Sequence, residues 1–286
     1  MIQGEVLITG GSGAFGCAFT RYLLTKYPDV TRIVIYSRNE FNQYLMAKSL
    51  EQYAHRLRFM IGDVRDKDRF HRSLFGIDFV VHAAALKRIE VGHYNPDEMI
   101  KTNVDGSKNV VEAILDWHRP IKAILLSSDK AWQPISPYGI SKAMAESLFI
   151  NANNMRGDNG PMFAVCRYGN VWNSTGSVVP KWRAAISDSE PIQITDPDCT
   201  RFYMTMDEAI ALIMDTYYTM KGGERNIPTL PAYRLGDLAD AVGASERTIT
   251  GLPPWEKLHE GMADGNTSDI ARRMTIDELK TALHEC

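Results

Sequence analysis

The chain has 286 residues, 32 of them Lys or Arg and 35 Asp or Glu, for a formal net charge of -3. Hydrophobic residues make up 44% and charged residues 23%, an ordinary globular composition with no basic excess to serve nucleic acid or an anionic membrane. The length is ample for a real core and suits one large or two closely joined domains. The four cysteines, Cys17, Cys166, Cys199 and Cys286, lack metal-ligand spacing. They read as free thiols of a reducing compartment, and no metal is expected. Met1-Ile2-Gln3 leads straight into a strand, and no apolar run reaches transmembrane length. A cytoplasmic protein without a leader is the expectation.

Glu5 to Thr9 is the first predicted strand. Gly10-Gly11-Ser12-Gly13-Ala14-Phe15-Gly16 follows, then a helical segment to about Tyr27. Gly10, Gly13 and Gly16 have the spacing a dinucleotide site needs. The chain must turn sharply, approach a pyrophosphate without a Cβ in the way, and pack the helix on the strand. Strand, glycine triplet and helix in this order weigh more than the glycines alone.

Thr31 to Tyr36 is the second strand, and Ser37 and Arg38 come directly after it. An NAD-specific site places a carboxylate near here for the ribose 2′-hydroxyl. Ser37 and Arg38 suit a 2′-phosphate, so NADP is the expected cofactor; a solvated turn is the competing reading. Leu57 to Ile61 is the third strand, with Asp63 and Val64 near where an adenine would lie. Phe79 to His82 is the fourth. It leads into Ala83-Ala84-Ala85-Leu86-Lys87, where small side chains let the backbone approach a cofactor. His82 reads as a packed core histidine. A long helix is expected from Pro96 to about Trp117, with Asn103 on it.

Ile121 to Leu126 is the fifth strand, and Ser127-Ser128-Asp129-Lys130 stands at its end. Tyr138 and Lys142 are four residues apart, so a helix from about Pro137 puts them on one face. The carboxyl edge of an open parallel sheet is where ligands bind. Asp129, Lys130, Tyr138 and Lys142 therefore converge on one rim and read as a catalytic centre. A surface turn with an incidental salt bridge is the plainer alternative; the amino-terminal glycine pattern argues against it.

A sixth strand runs from Met162 to Tyr168. Alternating strands and helices to this point predict an α/β fold, a Rossmann-type doubly wound parallel sheet over residues 1–168. From Gly169 onward proline, glycine and short elements prevail. A smaller, less regular substrate-binding domain is expected over 169–286, with segments after residue 190 free to return to the sheet. Trp172, Trp182, Phe202 and Trp255 read as core rather than ligand platforms. Arg167, Lys181, Arg201 and Lys257 are the basic residues a diphosphate has to choose from.

Taken together, these strings resemble the extended short-chain dehydrogenases. Thr9 to Gly16 is similar to their cofactor loop, and Tyr138-x-x-x-Lys142 to their catalytic pair. Tyr36-Ser-Arg-Asn-Glu40, Gly62-Asp-Val-Arg-Asp66, Thr102-Asn-Val104, Ser128-Asp-Lys-Ala131, Arg167-Tyr-Gly-Asn-Val171, Gly176-Ser-Val-Val-Pro180 and Glu256-Lys-Leu-His-Glu260 narrow the match. They resemble soluble, inverting UDP-N-acetylglucosamine 4,6-dehydratases. Two positions depart from that pattern: Thr175, where Arg or Asn is usual, and Trp255, where Gly is usual.

The resemblance implies transient oxidation at carbon 4 by NADP, loss of water across carbons 5 and 6, and return of the hydride to carbon 6. It implies Tyr138 as the first base, Lys130 as the carbon 5 base and Asp129 as the acid for the 6-hydroxyl; Ser127 or Ser128 is expected to hold the ketone oxygen by a hydrogen bond. A phenol titrates near pH 10, so Lys142 and the positive nicotinamide are expected to lower Tyr138, and burial with positive neighbours to lower Lys130. Gly10, Gly13, Ala14, Phe15, Gly16, Ser37, Arg38, Asp63, Val64, Ala83, Ala84, Ala85, Asn103, Tyr138 and Lys142 are expected on the cofactor. Lys87, Asn170, Val178, Arg201 and Glu256 are expected on the UDP-sugar. A homo-oligomer is implied as well. A 4-epimerase or reductase of the same fold needs Tyr138 and Lys142 but no Asp-Lys pair. A non-enzymatic NADP-binding regulator commonly lacks the Tyr or Lys.

Overall fold

The computed structural model describes residues 2, 4–172 and 177–284. Met1, Thr175, Gly176 and Cys286 lie outside them. The elements run in the order β1 (Gly4–Thr9), α1 (Ala14–Lys26), β2 (Val30–Ser37), α2 (Glu40–Ser49), β3 (Leu57–Ile61), α3 (Lys67–Ser73), β4 (Phe79–His82), α4 (Ile89–Tyr94), α5 (Pro96–Met99), α6 (Gly106–Asp116), β5 (Lys122–Leu126), α7 (Pro137–Ala152) and β6 (Met162–Cys166). They continue with α8 (Val178–Ser187), β7 (Ile192–Ile194), β8 (Thr200–Phe202), α9 (Met206–Thr219), β9 (Arg225–Asn226), β10 (Ala232–Arg234), α10 (Leu235–Ala241), β11 (Arg247–Ile249), β12 (Gly261–Ala263), β13 (Asn266–Thr267) and α11 (Ile276–His284).

Seven strands form one parallel sheet in the order β3-β2-β1-β4-β5-β6-β9. Its central strands are short apolar runs because both faces are covered. Successive side chains of a strand point to opposite faces. Val6 and Ile8 thus join Phe19 and Leu23 of α1 and Ile210 and Ile213 of α9. Leu7, between them, joins Val110 and Ile114 of α6 and Phe149 of α7. The strand order reverses at β1, between β2 and β4, and opens a crevice at the carboxyl edge.

The expected Pro96–Trp117 helix is interrupted. Residues Ile100–Asp105 form a π-helical turn between α5 and α6. The last pairing of the sixth strand is at Cys166, two residues before the expected end.

The second half of the chain serves two layers. Thr205 and Glu208 form a reciprocal capping box that starts α9. α9 then packs under the sheet, and β9 extends it beside β6. The remainder has its own core, with Val179, Trp182, Ile192, Ile194, Tyr233, Leu238, Leu279 and Leu283 packed together. Two small sheets, β7 with β11 and β8 with β10, lie in this lobe. Among the described residues, no helix is long and apolar enough to cross a membrane.

Candidate active site

A cleft of about 1120 Å³ runs along the carboxyl edge of the sheet and on between the sheet and the second lobe. At one end lies the glycine loop. Gly10 has φ +64, and a Cβ there would stand 2.9 Å from the backbone nitrogen of Ala84. A Cβ on Gly16 would stand 2.4 Å from the carbonyl of Gly11. Gly13 is the N-cap of α1, whose free amides face the cleft. Turn, close approach and helix packing are thus divided among the three glycines. This cradle fits a dinucleotide pyrophosphate. A further glycine, Gly62, was not singled out from sequence: a Cβ there would collide with the ring of buried Tyr36 at 2.2 Å.

Ser37 and Arg38 line the same end. The Ser37 hydroxyl meets Ser12 Oγ at 2.8 Å and accepts from Gln43 Nε2 at 2.9 Å. Arg38 is about half exposed and 3.8 Å from Asp63. Ala14, Phe15, Asp63, Val64, Ala83, Ala84 and Ala85 also line the cleft. Asn103 does not. It sits in the π turn and is 1% exposed. Its amide is bound to both backbone groups of Leu86 and to Ser141 Oγ. Its expected place on the cofactor is thereby corrected: it clamps the Ala83–Lys87 segment to α7.

His82 is a core residue, as expected. Thr9 Oγ1 lies 2.7 Å from Nδ1 and Ser107 Oγ 3.0 Å from Nε2. Ser107 donates to Asn103 O, so its oxygen accepts from Nε2–H and Thr9 donates to Nδ1. Burial, aided by the Lys142 charge, pushes this imidazole down to about 3, so it stays neutral.

The reactive groups stand in the middle of the cleft. Ser136 caps α7 through Gly139 N, and Pro137 occupies the first turn. This start sets Tyr138 and Lys142 one turn apart, both on the cleft wall. Lys142 Nζ donates to Leu126 O at 2.6 Å, at the end of β5. Burial pushes its ammonium down to about 8, against the opposing pull of Glu146. Burial raises the Tyr138 phenol; Lys130 and a hydrogen bond with Ser128 lower it, Asp129 raises it, and the balance is upward. The expected lowering of Tyr138 by Lys142 is thus replaced by a smaller pull from Lys130.

Lys130 lines the cleft, and its Nζ lies 3.2 Å from Asp129 Oδ1 and 3.2 Å from Glu260 Oε1. Burial alone would lower this ammonium, but the two carboxylates outweigh it and hold the group above the ordinary lysine range. The expectation of a depressed Lys130 is therefore reversed. Asp129 is fully buried behind the cleft wall, where its Oδ1 accepts from Ser128 Oγ at 2.7 Å. Ser127 also lines the cleft, but its hydroxyl is engaged in donating to Glu146 at 2.6 Å. Glu260 belongs to the quoted motif string but was not singled out, because 130 residues separate it from Lys130.

Arg201 and Glu256 pair on the wall of the same cleft, which Lys87, Asn170 and Val178 also line. Arg167 is not available to a diphosphate: it is buried against Glu146, with Arg225 on the same carboxylate. Lys257 donates to Trp132 O, whereas Lys181 does line the cleft.

Comparison with known proteins agrees with this geometry. A UDP-N-acetylglucosamine 4,6-dehydratase (inverting) of Campylobacter jejuni is 41% identical over 93% of this chain and 79% of its own. A UDP-glucose 4-epimerase of Rickettsia felis is 37% identical over 91% of this chain and 78% of its own. Among solved structures, Pen from Bacillus thuringiensis matches with a TM-score of 0.93 and 29% identity over 99% of each chain. With the match of the polysaccharide biosynthesis protein family running from residue 6 to 280, the chain belongs to that family.

Proposed function

We propose that this protein is a nucleotide-sugar 4,6-dehydratase. It acts on UDP-N-acetylglucosamine and yields a UDP-4-keto-6-deoxy-N-acetylhexosamine with inversion at carbon 5. The observation that carries this reading is the Asp129–Lys130 pair at the end of β5, with Ser128 donating to Asp129, and with Lys130 lining the same cleft as Tyr138. Oxidation and reduction at carbon 4 need only Tyr138 and Lys142. Elimination across carbons 5 and 6 also needs a base and an acid side by side.

Tyr138 takes the proton of the 4-hydroxyl, and Ser128 turns its one hydroxyl hydrogen from Asp129 to the resulting ketone oxygen. The ketone acidifies carbon 5, where Lys130 is the base, and Asp129 supplies the proton that leaves with the 6-hydroxyl. The glycine cradle, with Ser37 and Arg38 at the 2′-phosphate, would hold NADP, which would supply the reversible hydride chemistry that links carbon 4 to carbon 6. Lys87, Asn170, Val178, Arg201 and Glu256 hold the UDP-sugar. The first lobe, residues 1–168, serves mainly the cofactor and residues 169–286 mainly the substrate.

We also infer a cytoplasmic homo-oligomer. α7 leaves Ile140 and Met144 more than half exposed on its outer side. Incubation with UDP-N-acetylglucosamine and mass analysis of the product tests the main reading. The expected product is lighter than the substrate by one water; a product of unchanged mass with an inverted 4-hydroxyl would make the protein an epimerase.

A further inference from the structure

We propose that Glu260 is a positioning residue for Lys130, taking up the proton that Lys130 must shed before its amine can act on carbon 5. The inference rests on the dehydratase reading above and deepens it.

The geometry is that of one ammonium between two buried carboxylates. Lys130 Nζ is 3.2 Å from Asp129 Oδ1 and 3.2 Å from Glu260 Oε1. Asp129 and Glu260 are 0% and 2% exposed. Asp129 Oδ1 accepts from Ser128 Oγ, from Lys130 N and from Lys130 Nζ. Among the described residues, Asp129 Oδ2 and Glu260 Oε2 have no hydrogen-bond partner. A buried charged oxygen without a donor is costly, and a proton on the carboxyl removes that cost. The other charged or titratable groups facing this cluster are Arg201, Lys257, Tyr138 and Tyr233.

Glu260 is held where this role needs it. Its amide donates to Ser268 Oγ at 2.8 Å, and its carbonyl accepts from Ser268 N at 2.7 Å. The next residue, Gly261, lies under Trp132, and a Cβ there would stand 2.7 Å from the indole ring. The β12–β13 hairpin is thus packed against the catalytic stretch.

Two jobs cannot fall to one carboxyl. Asp129 must carry a proton for the departing hydroxyl, and a protonated carboxyl cannot also accept the Lys130 proton. Glu260 can. The cycle starts with Asp129 protonated, Lys130 as ammonium and Glu260 as carboxylate. One N–H bond of Lys130 breaks and an O–H bond forms on Glu260, leaving both groups neutral. The amine lone pair then takes the carbon 5 proton. The C–H electron pair becomes the double bond to carbon 6, and the C–O bond breaks as the Asp129 proton completes water. Solvent then supplies a proton to the opposite face of carbon 5, as inversion there requires, and Lys130 releases to solvent the proton it took. The proton Tyr138 took from the 4-hydroxyl restores Asp129 through Ser128, which donates to Asp129 and lines the cleft with Tyr138. Glu260 returns its proton to Lys130, and the cycle closes.

Glu260→Gln and Glu260→Asp, each assayed beside wild type, test this. In Glu260→Gln we expect kcat to fall about 100-fold with KM changed less than about 3-fold. Oxidation at carbon 4 should persist, seen as absorbance of reduced nicotinamide. Deuterium entry at carbon 5 in heavy water should slow with kcat. Glu260→Asp keeps the carboxylate and should recover about tenfold of the loss. The proposal is overturned if Glu260→Gln retains kcat within about twofold of wild type, or if both variants lose activity equally, as a purely structural role demands. Should Glu260→Gln fail to fold, Glu260→Asp carries the test through the same split between carbon 4 and carbon 5. If wild type itself removes no water from UDP-N-acetylglucosamine, the dehydratase reading fails and takes this proposal with it. A wild-type dehydratase with an indifferent Glu260 sinks this proposal alone.

Discussion

Arg201 and Glu256 form an ion pair on the cleft wall in which only the carboxylate reaches solvent: their side chains are 6% and 25% exposed. Arg201 is held from behind as well, donating to Thr200 O at 2.7 Å and Leu258 O at 3.2 Å. A guanidinium fixed in this way presents a preformed fork, and a diphosphate needs only to replace or join Glu256 as its partner. Arg201→Ala should therefore raise KM for the UDP-sugar by about 10- to 100-fold, the worth of a charge-assisted hydrogen bond. Cofactor affinity should hardly change. Steady-state kinetics with a parallel cofactor titration reads both, and an unchanged KM would remove Arg201 from the substrate site.

The catalytic half of this site was legible in the sequence because local rules place it. β3 and β4 coincide with the predicted Leu57 to Ile61 and Phe79 to His82; β4 is a fully buried short apolar run, whereas β3 is a partly exposed edge strand that its polar flanks delimit. The Tyr138–Lys142 spacing needs only one helical turn. What the sequence hid is tertiary. β9 has two residues, Arg225 and Asn226, and no apolar pattern; it joins the sheet by pairing with β6 and by the Arg225–Glu146 contact. Asn103 was rightly placed on a helix, but a helix position does not say which way an amide turns. Lys130 does have the positive Arg201 nearby, but Asp129 beside it and Glu260, which the β12 hairpin brings in from the far end of the chain, outweigh it.

Arg38 is the residue proposed to favour NADP over NAD. It is about half exposed at the cleft rim, 3.8 Å from Asp63, while Ser37 is fixed between Ser12 and Gln43. Arg38→Ala should weaken NADP binding by about tenfold, about 1.4 kcal/mol, and leave NAD affinity within about twofold. Fluorescence titration with each cofactor measures this. Equal losses for both would mean that Arg38 supports the fold rather than a phosphate.

Lys142 should make stability depend on alkaline pH. Its ammonium is depressed from 10.5 to about 8 by burial, with Glu146 opposing. Between those values the unfolded chain holds a proton that the folded protein lacks, so this group makes stability rise with pH across the window. The cost of burying the charge is full below about pH 8 and is relieved as pH approaches 10.5. Lys142→Met cannot titrate there. Urea unfolding of both proteins at pH 7 and pH 10 should show wild type gaining on the variant by about 2–3 kcal/mol. A gap that stays constant with pH would show that Lys142 keeps an ordinary affinity for its proton in the folded protein.

Lys130 and Tyr138 should separate the two halves of the reaction. Both line the cleft, but they serve different carbons in the proposed cycle. Lys130→Ala removes the carbon 5 base and leaves Tyr138 to take the 4-hydroxyl proton. Turnover should fall about 10³-fold, within the range for loss of a general base. Reduced nicotinamide should nevertheless appear on adding substrate, because oxidation at carbon 4 does not need Lys130. Tyr138→Phe should behave in the opposite way, with turnover lost and no early reduction. In heavy water the wild type should place deuterium at carbon 5, and a label at carbon 4 should reappear on carbon 6 of the same molecule. A 4-epimerase does neither, since it never breaks the bond at carbon 5. Full turnover in Lys130→Ala, or a carbon 5 that stays undeuterated in wild-type product, would therefore refute the assignment of Asp129 and Lys130 to elimination, even if Tyr138→Phe were inactive.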